Sequence, residues 1–212
     1  MPTETAERDA VSRILEAARR LFAEQGFDAV SMNAIADAAE VSKANIFHHF
    51  KNKDELYLAT LKAACVSSCA QIERFDQSAG GFEQRLARYA AEHLQNILDN
   101  AQVTRLIQRD LLENGPQRGR QFAEQVFGQT FARLVEILRV GQRRGELRQD
   151  VDPALVALMV IGSNLTFFQA REVFRHFPDV TFAESPETYS RMAVDIVLHG
   201  MLPRGRTENE RD

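Results

Sequence analysis

Cysteine is scarce in this 212-residue chain, and the common catalytic motifs are absent. Cys65 and Cys69 lie one helical turn apart, and two thiols do not complete a zinc site. We interpret them as small core residues, with a redox or metal pair as the alternative. No glycine-rich phosphate loop, G-x-S-x-G or H-E-x-x-H motif occurs, and the histidines outside residues 48–49 are isolated from one another. We therefore expect no enzymatic activity, no cofactor and no metal site.

Signals for export or membrane insertion are not recognised either. The first residues, MPTETAERD, are acidic and polar, and no apolar run is judged long enough to span a bilayer. We therefore expect a cytoplasmic protein without a membrane partner. The net charge of −4 excludes a generally basic, DNA-coating protein, so any nucleic-acid binding must come from a local patch. No strand-like alternation persists over any length, which predicts an all-α fold.

Residues 31–53, SMNAIADAAEVSKANIFHHFKNK, have the pattern of a helix, a tight turn and a second helix. Ser31 and Ser42 are suitable N-cap residues, because a serine hydroxyl can accept a hydrogen bond from a free N–H of the first turn. Asn52 and Glu55 form a capping-box-like pair for the helix that follows. Ile46 and Phe50 are four residues apart and would pack on Ile35 of the first helix. This spacing predicts a helix-turn-helix whose second helix reads the major groove, although an ordinary helical hairpin with a polar solvent face has the same spacing.

Small and polar residues occupy the outward face of the second helix. Ala44, Asn45 and His48 lie away from the apolar face and can contact base edges or phosphates. Three lysines and no acid give residues 41–53 a local charge of plus three, which suits phosphate. The predicted DNA-binding residues are Ser31, Asn33, Ser42, Lys43, Ala44, Asn45, Phe47, His48, His49 and Lys53.

Residues 10–61 resemble the DNA-binding domain of the TetR/AcrR transcriptional regulators. The run ILEAARRLFAEQGFDAVSMNAIADAAEVSKANIFHHFKNKDEL parallels the family pattern of a first helix ending in F-x-x-x-G-F/Y, then T-x-x-x-I-A-x-x-A-G-V-S-x-x-x-x-Y-x-H-F-x-x-K-x-x-L. Glu40 stands where the family usually has a turn glycine, which predicts a left-handed backbone at a non-glycine residue. Phe47 stands where a tyrosine commonly gives its hydroxyl to a phosphate, so neighbouring residues must supply that contact.

The resemblance implies a DNA-binding regulator, usually a repressor, that works as a homodimer on a near-palindromic double-stranded operator. It implies an N-terminal three-helix helix-turn-helix domain, residues 1–55, and a larger helical ligand-binding and dimerisation domain, residues 56–212. In such a protein a small molecule in the helical body changes the separation of the two DNA-binding heads. The alternative is a DNA-tethered factor that binds a protein partner and has no small-molecule inducer.

Apolar residues at helical spacing predict the remaining helices. Residues 53–75, 82–98, 104–113, 118–144, 153–174 and 186–202 are each predicted to form one helix. Asn114-Gly115-Pro116 is expected to end the helix that begins at Thr104. The segment 153–174 is apolar nearly all round and therefore needs cover on several sides. We predict that it forms a four-helix dimer interface with residues 186–202.

Phenylalanine recurs in the two longest apolar segments of the body, with few polar groups nearby. An apolar site with sparse polar groups is typical of small-molecule pockets, and a plain packed core is the alternative. We therefore expect a small apolar or aromatic effector. The predicted ligand-binding residues are Gln108, Phe122, Phe127, Phe131, Asn164, Phe168 and Gln169.

Overall fold

The computed structural model describes residues 4–199, which form ten α-helices and no strand, so the all-α prediction is confirmed. The helices are α1 Glu4–Gln25, α2 Met32–Ala39, α3 Lys43–His49, α4 Lys53–Ala64, α5 Val66–Gln77, α6 Phe82–Asp99, α7 Ala101–Gln121, α8 Gly128–Arg143, α9 Pro153–Phe174 and α10 Pro186–His199. A π-helical turn, Phe122–Phe127, joins α7 to α8, and a 3-10 turn, Phe182–Glu184, precedes α10. The predicted end of the last helix at residue 202 lies outside the described residues.

The chain divides into two compact units. The first contains the described parts of Met1–Arg74 together with Asn96–Glu136, and the second contains Phe75–Gln95 with the described parts of Ile137–Asp212. Helices α5, α6 and α8 each have residues in both units. The predicted domain boundary at residue 55 stays a prediction.

One apolar core holds the first unit together. Ile14 and Phe22 of α1, Ile35 of α2 and Ile46 of α3 are all fully buried in it. Their side chains recur at helical spacing, so each helix presents one apolar face to the same centre. Phe122 of the π-helical turn belongs to this core as well, and so does a leucine of α7. The helix-turn-helix and α7 are therefore parts of one packed unit.

The helix predicted over residues 53–75 is wrong in one respect, because it is broken at Cys65. This residue has φ −89° and ψ −1°, and its N–H bonds to the carbonyls of Leu61 and Lys62. The sequence that follows, Val66-Ser67-Ser68, has low helix propensity and offers little resistance to a break. Two helices, α4 and α5, therefore replace the single predicted one.

The expected stop at Asn114-Gly115-Pro116 is also wrong, since α7 runs through Pro116 to Gln121. Proline removes one backbone donor and normally interrupts a helix. Contacts on both sides of the proline oppose that tendency. The Arg118 guanidinium lies 3.5 Å from the Asp110 carboxylate, and the Asn114 side-chain amide donates to the same residue over 2.6 Å. Tertiary contacts thus override the local breaker signal.

The predicted helix 118–144 is likewise interrupted, at the π-helical turn. In a π-helix each N–H bonds five residues back, which widens the turn. At its end, a Cβ on Gly128 would collide with the backbone oxygen of Ala123. Only glycine leaves room for this approach, which apolar periodicity alone does not reveal.

The predicted bounds of α9, a helix of the second unit, are confirmed. The Asp152 carboxylate accepts the Ala154 N–H over 2.7 Å, and Pro153 occupies the first helical position. Buried Asn164 ties α9 to α6 by donating to the Ala90 carbonyl over 2.8 Å. The Tyr189 hydroxyl of α10 donates to the Ser163 carbonyl over 2.6 Å. Helices α6, α9 and α10 are therefore joined by buried polar contacts.

Helix α9 leaves a broad apolar face uncovered. Leu155, Leu158 and Met159 are about half exposed, and so are Met192 and Ile196 of α10. We expected no segment long enough to span a bilayer. Judged by length and composition alone, α9 is long and apolar enough, so this expectation is wrong. The 22 residues of α9 include an 18-residue window of mean hydropathy 1.5, of which 22% is buried within the described residues. Such a face requires cover from something other than water.

Candidate nucleic-acid interface

Side-chain caps fix the starts of α2, α3 and α4. The Ser31 hydroxyl accepts the Ala34 N–H, and the Ser42 hydroxyl accepts the Asn45 N–H, both over 3.1 Å. The Asn52 side-chain oxygen accepts the Glu55 N–H over 2.8 Å. Each bond satisfies a backbone donor that a helix start leaves unpaired. The three predicted caps are confirmed, and they set where α2, α3 and α4 begin.

The turn between α2 and α3 is tight and contains the predicted left-handed residue. Glu40 has φ 55° and ψ 44°, and among the described residues it alone combines a side chain with positive φ. The Val41 N–H bonds to the Ala36 carbonyl over 3.0 Å, which closes the turn. Arg13 of α1 donates to the Ala39 carbonyl over 3.2 Å. The prediction for Glu40 is confirmed.

The predicted DNA-binding residues lie on the outer side of this motif. Ser31, Asn33, Ser42, Lys43, Ala44, Phe47 and His48 are exposed, and Asn45, His49 and Lys53 are half-buried. The Phe47 ring is 45% exposed with the Lys43 ammonium 6.0 Å from its centre. An exposed aromatic ring on a recognition helix adds nothing to the core. It can contact thymine methyl groups or sugars in the major groove.

Lys53 is held by contacts with the loop that follows α1. Its ammonium donates to the Asp28 carbonyl over 3.2 Å and lies 4.5 Å from the centre of the Phe27 ring. An ammonium has three donor hydrogens, so one bond to a carbonyl leaves two for a phosphate. These contacts place the positive charge at the N-terminus of α4, where the helix dipole also favours an anion.

A residue that the sequence analysis missed connects the motif to α7. The Arg118 guanidinium bonds to the Asp54 carboxylate of α4 over 2.7 Å. It also lies between 5.3 and 5.7 Å from the ring centres of Phe27, Tyr57 and Phe122. No local pattern indicated this role, because Arg118 follows a proline that suggested a helix end. Sequence spacing cannot show that residues 54 and 118 meet.

Comparison with known families and proteins matches this architecture along most of the chain. A profile described as bacterial regulatory proteins, tetR family, matches residues 14–60. A second, described as the tetracyclin repressor-like C-terminal domain, matches residues 83–197. The chain belongs to the TetR family of transcriptional regulators.

Relatives of this TetR-family regulator are of similar length. The HTH-type transcriptional regulator UidR of Escherichia coli strain K12 is 26% identical over 161 residues, covering 74% of this chain and 79% of UidR. The HTH-type transcriptional repressor Rv1474c of Mycobacterium tuberculosis is 29% identical over 153 residues, covering 71% and 77%. FadR of Bacillus subtilis, solved in complex with stearoyl-CoA, superposes with a TM-score of 0.73 at 19% identity, covering 90% of this chain and 99% of FadR. That structural likeness shows a shared fold.

The predicted ligand-binding residues of this TetR-family chain divide between the two units. Gln108, Phe122, Phe127 and Phe131 belong to the first unit, and Asn164, Phe168 and Gln169 belong to the second. In the first unit the rings of Phe122 and Phe127 lie 6.2 Å apart within the core around the helix-turn-helix. In the second, Asn164 is fully buried whereas Gln169 is exposed. Their role in ligand binding stays a prediction.

Asn164 belongs to a neutral polar cluster inside the second unit. Its amide nitrogen lies 3.0 Å from Nδ1 of His93, and its own Oδ1 has no hydrogen-bond partner among the described residues. Burial lowers the pKa of His93 to about 4, so the imidazole is neutral at physiological pH. On α10, the Ser190 hydroxyl is also fully buried and unpaired in the described part of the chain. Asn164 and His93 together offer uncharged hydrogen-bonding groups inside the second unit.

Glu40 generates a stability prediction. We expect Glu40→Gly to raise the free energy of unfolding by about 1 kcal/mol, because glycine adopts the left-handed conformation without the steric cost of a Cβ. Thermal or urea unfolding monitored by circular dichroism measures the change. Ala38→Gly, at an exposed position inside α2, is the matched control and should lower stability by about 1 kcal/mol. An unchanged or lower melting temperature for Glu40→Gly would contradict the strain.

Proposed function

We propose that this regulator is a cytoplasmic repressor that binds a near-palindromic operator as a homodimer and is released by a small apolar or aromatic effector. The observation that carries the proposal is the outer face of α3, where Lys43, Phe47 and His48 are exposed on a capped helix. Family membership supports DNA-dependent regulation. The sign of regulation, the effector and the interface are our inference from the residues.

DNA recognition is proposed to separate into positioning and reading. Lys53 and the caps at the starts of α2, α3 and α4 present cations and helix N-termini to phosphates. Ala44 and His48 face outward from α3 and contact base edges, and half-buried Asn45 flanks them. Two copies of α3 related by a two-fold axis would meet half-sites about 10 to 20 base pairs apart, because equivalent groove faces recur each helical turn.

Substitutions on this face should separate affinity from specificity. We expect Lys53→Ala to weaken binding to every duplex alike and to reduce the salt dependence by about one charge per head, because it removes a phosphate contact. His48→Ala should instead change the preferred sequence. Fluorescence anisotropy at several salt concentrations measures both effects, using operators selected from genomic fragments that the pure protein retains.

Lys62→Ala serves as the control for net charge, because Lys62 is exposed at the far end of α4. It should leave operator affinity nearly unchanged. Equal affinity of the wild type for operator and random DNA at moderate salt would contradict sequence-specific binding. If the DNA affinity of Lys53→Ala depends on salt as steeply as that of the wild type, Lys53 does not contact a phosphate.

The dimer is proposed to form through α9 and α10, which fall in the segments 153–174 and 186–202 predicted from the sequence. The half-exposed side chains of Leu155, Leu158 and Met159 supply an apolar face, and Ile196 continues it on α10. Gly162 lies on α9 with open space around its Cβ position, which permits close approach of another helix. Two such helices from each subunit would form a four-helix interface. An obligate interface of this kind buries on the order of 2,000 Å2 or more.

A charge placed in this face should separate the subunits and abolish operator binding together. Ile196 is 47% exposed in the single chain, and Ile196→Glu would bury an unpaired carboxylate in the dimer at a cost of several kcal/mol. Light scattering gives the mass, and anisotropy gives the operator affinity. Arg191→Glu introduces the same charge at another exposed position of α10 and should remain dimeric. A dimeric Ile196→Glu with normal operator binding would place the interface elsewhere.

The effector is proposed to be apolar because the buried polar groups near α9 are uncharged. Neutral His93 and the unpaired Oδ1 of Asn164 can orient a ligand by hydrogen bonds without binding a full charge. Phe168 and the neighbouring buried Phe167 contribute apolar surface. FadR of Bacillus subtilis, whose fold is similar, is known with a long acyl chain bound as stearoyl-CoA. An effector releases DNA only if it binds the low-affinity conformation more tightly than the other.

Asn164 provides the test of the effector. We expect Asn164→Ala to weaken effector binding about tenfold, because the ligand loses one buried hydrogen-bond acceptor. A panel of apolar metabolites and aromatic compounds, including stearoyl-CoA, is screened for shifts in melting temperature and operator affinity. Thr166→Ala is the control, since Thr166 is exposed on the same helix and bonds only to the Gly162 carbonyl. A panel without any active member would favour the DNA-tethered factor that binds a protein partner.

A further inference from the structure

A cavity lies in the first unit, and none of its lining residues is among those predicted to bind DNA or the effector, although Lys53 contacts Phe27 and Asp28 of its wall. It measures about 430 Å3 and is bounded by the end of α1 with the following loop, by Tyr57 of α4 and by one side of α7. Small-molecule sites in proteins usually measure roughly 300 to 1,000 Å3. The cavity is thus large enough for a metabolite, and most of its lining residues are polar or charged.

The positive charges at this cavity differ in how they are paired. Arg118 is paired with both Asp54 and Asp110, at 2.7 and 3.5 Å. Arg109 of α7, by contrast, makes no ion pair or hydrogen bond with any described residue. Its side chain is exposed and lines the cavity. An unpaired guanidinium has several N–H donors in one plane, which match the two oxygens of a carboxylate.

The backbone of Gly26 makes room for that guanidinium. Gly26 ends α1 with φ 82°, and a Cβ placed on it would lie 2.7 Å from a terminal nitrogen of Arg109. The absence of a side chain at position 26 therefore lets Arg109 lie against the wall of the cavity. Substitution by any larger residue would displace the guanidinium and strain the backbone.

Acidic groups on the rim restrict what the cavity can accept. Asp28 and Glu113 are exposed lining residues, and Asp110 is buried behind them. Together with Arg109 and Arg118 they give the lining three acids and two cations, which disfavours ligands with several negative charges. The acids can accept hydrogen bonds from hydroxyl or ammonium groups.

We propose that this cavity binds a small carboxylate that also carries hydroxyl or ammonium groups, with its carboxylate on Arg109. Its donor groups bond to the acids of the rim. The ligand would touch the loop leading into α2 and one side of α7 at the same time. Its binding would therefore favour one arrangement of these two segments. The cavity is thus a second regulatory site, in addition to the site of the proposed effector.

Binding is measured by isothermal titration calorimetry on the full-length wild-type protein without DNA. The probes are D-gluconate, L-lactate and L-glutamate, with D-glucitol as an uncharged polyol and sulfate as an anion without donors. We expect at least one of the three carboxylates to bind, and D-glucitol and sulfate to bind at least tenfold more weakly. Arg109→Gln should weaken carboxylate binding at least tenfold, because it removes the cation at an exposed position.

Arg120→Gln is the matched control, since Arg120 is exposed on α7, pairs with Glu124 and does not line the cavity. It should bind the carboxylate as the wild type does, and circular dichroism confirms that both variants are folded. No binding of any carboxylate at 10 mM, or equal binding by Arg109→Gln, would overturn the proposal. Equal binding of sulfate would overturn the ligand class. Because DNA is absent from this experiment, the result is independent of whether the chain represses transcription.

Discussion

The ion pair between Arg118 and Asp54 is the contact on which coupling between α7 and α4 depends. Its guanidinium is 15% exposed and faces carboxylates of α4 and of α7, with three aromatic rings around it. A cation so poorly hydrated needs both carboxylates, because an unpaired buried charge is costly. The same environment acts on Tyr57, where burial and then the negative charge of Asp110 raise the pKa of the phenol well above its usual range. Helices α4 and α7 therefore share one charged contact, in which Arg118 is largely desolvated and Asp54 is partly exposed.

The uncovered face of α9 is a second constraint, of a different kind. Polar contacts through Asn164 and Ser163 join one side of the helix to α6 and α10, and the other side exposes leucine and methionine. Length and composition alone do not distinguish a membrane span from a subunit interface. In a DNA-binding regulator of this family, the proposed two-fold interface would bury this apolar face and would also position two recognition helices.

The sequence predicted local structure best where that structure depends on a few neighbouring residues. The caps at Ser31, Ser42 and Asn52, the left-handed Glu40 and the proline start of α9 all depend on a few adjacent positions. It predicted less well where distant contacts compete with local preference. Pro116 lies inside α7 because ion pairs and packing hold the helix on both sides. The π-helical turn requires an approach of Gly128 to the backbone that periodicity does not encode. The role of Arg118 was not predictable, because Asp54, Tyr57 and Phe27 are more than sixty residues away from it in the chain.

The energy needed for regulation is comparable with what the Arg118 contact can supply. Allosteric effectors usually change affinity through a coupling free energy of about 1 to 3 kcal/mol. A hydrogen bond to a charged group contributes about 1.5 to 3 kcal/mol, and the lower end applies here because Asp54 is 43% exposed and partly screened. Moving α7 enough to break the bond between Arg118 and Asp54 would therefore change the stability of the head by an amount within the regulatory range. A small displacement of α7 suffices, because such a bond is lost over a few tenths of an ångström to one ångström.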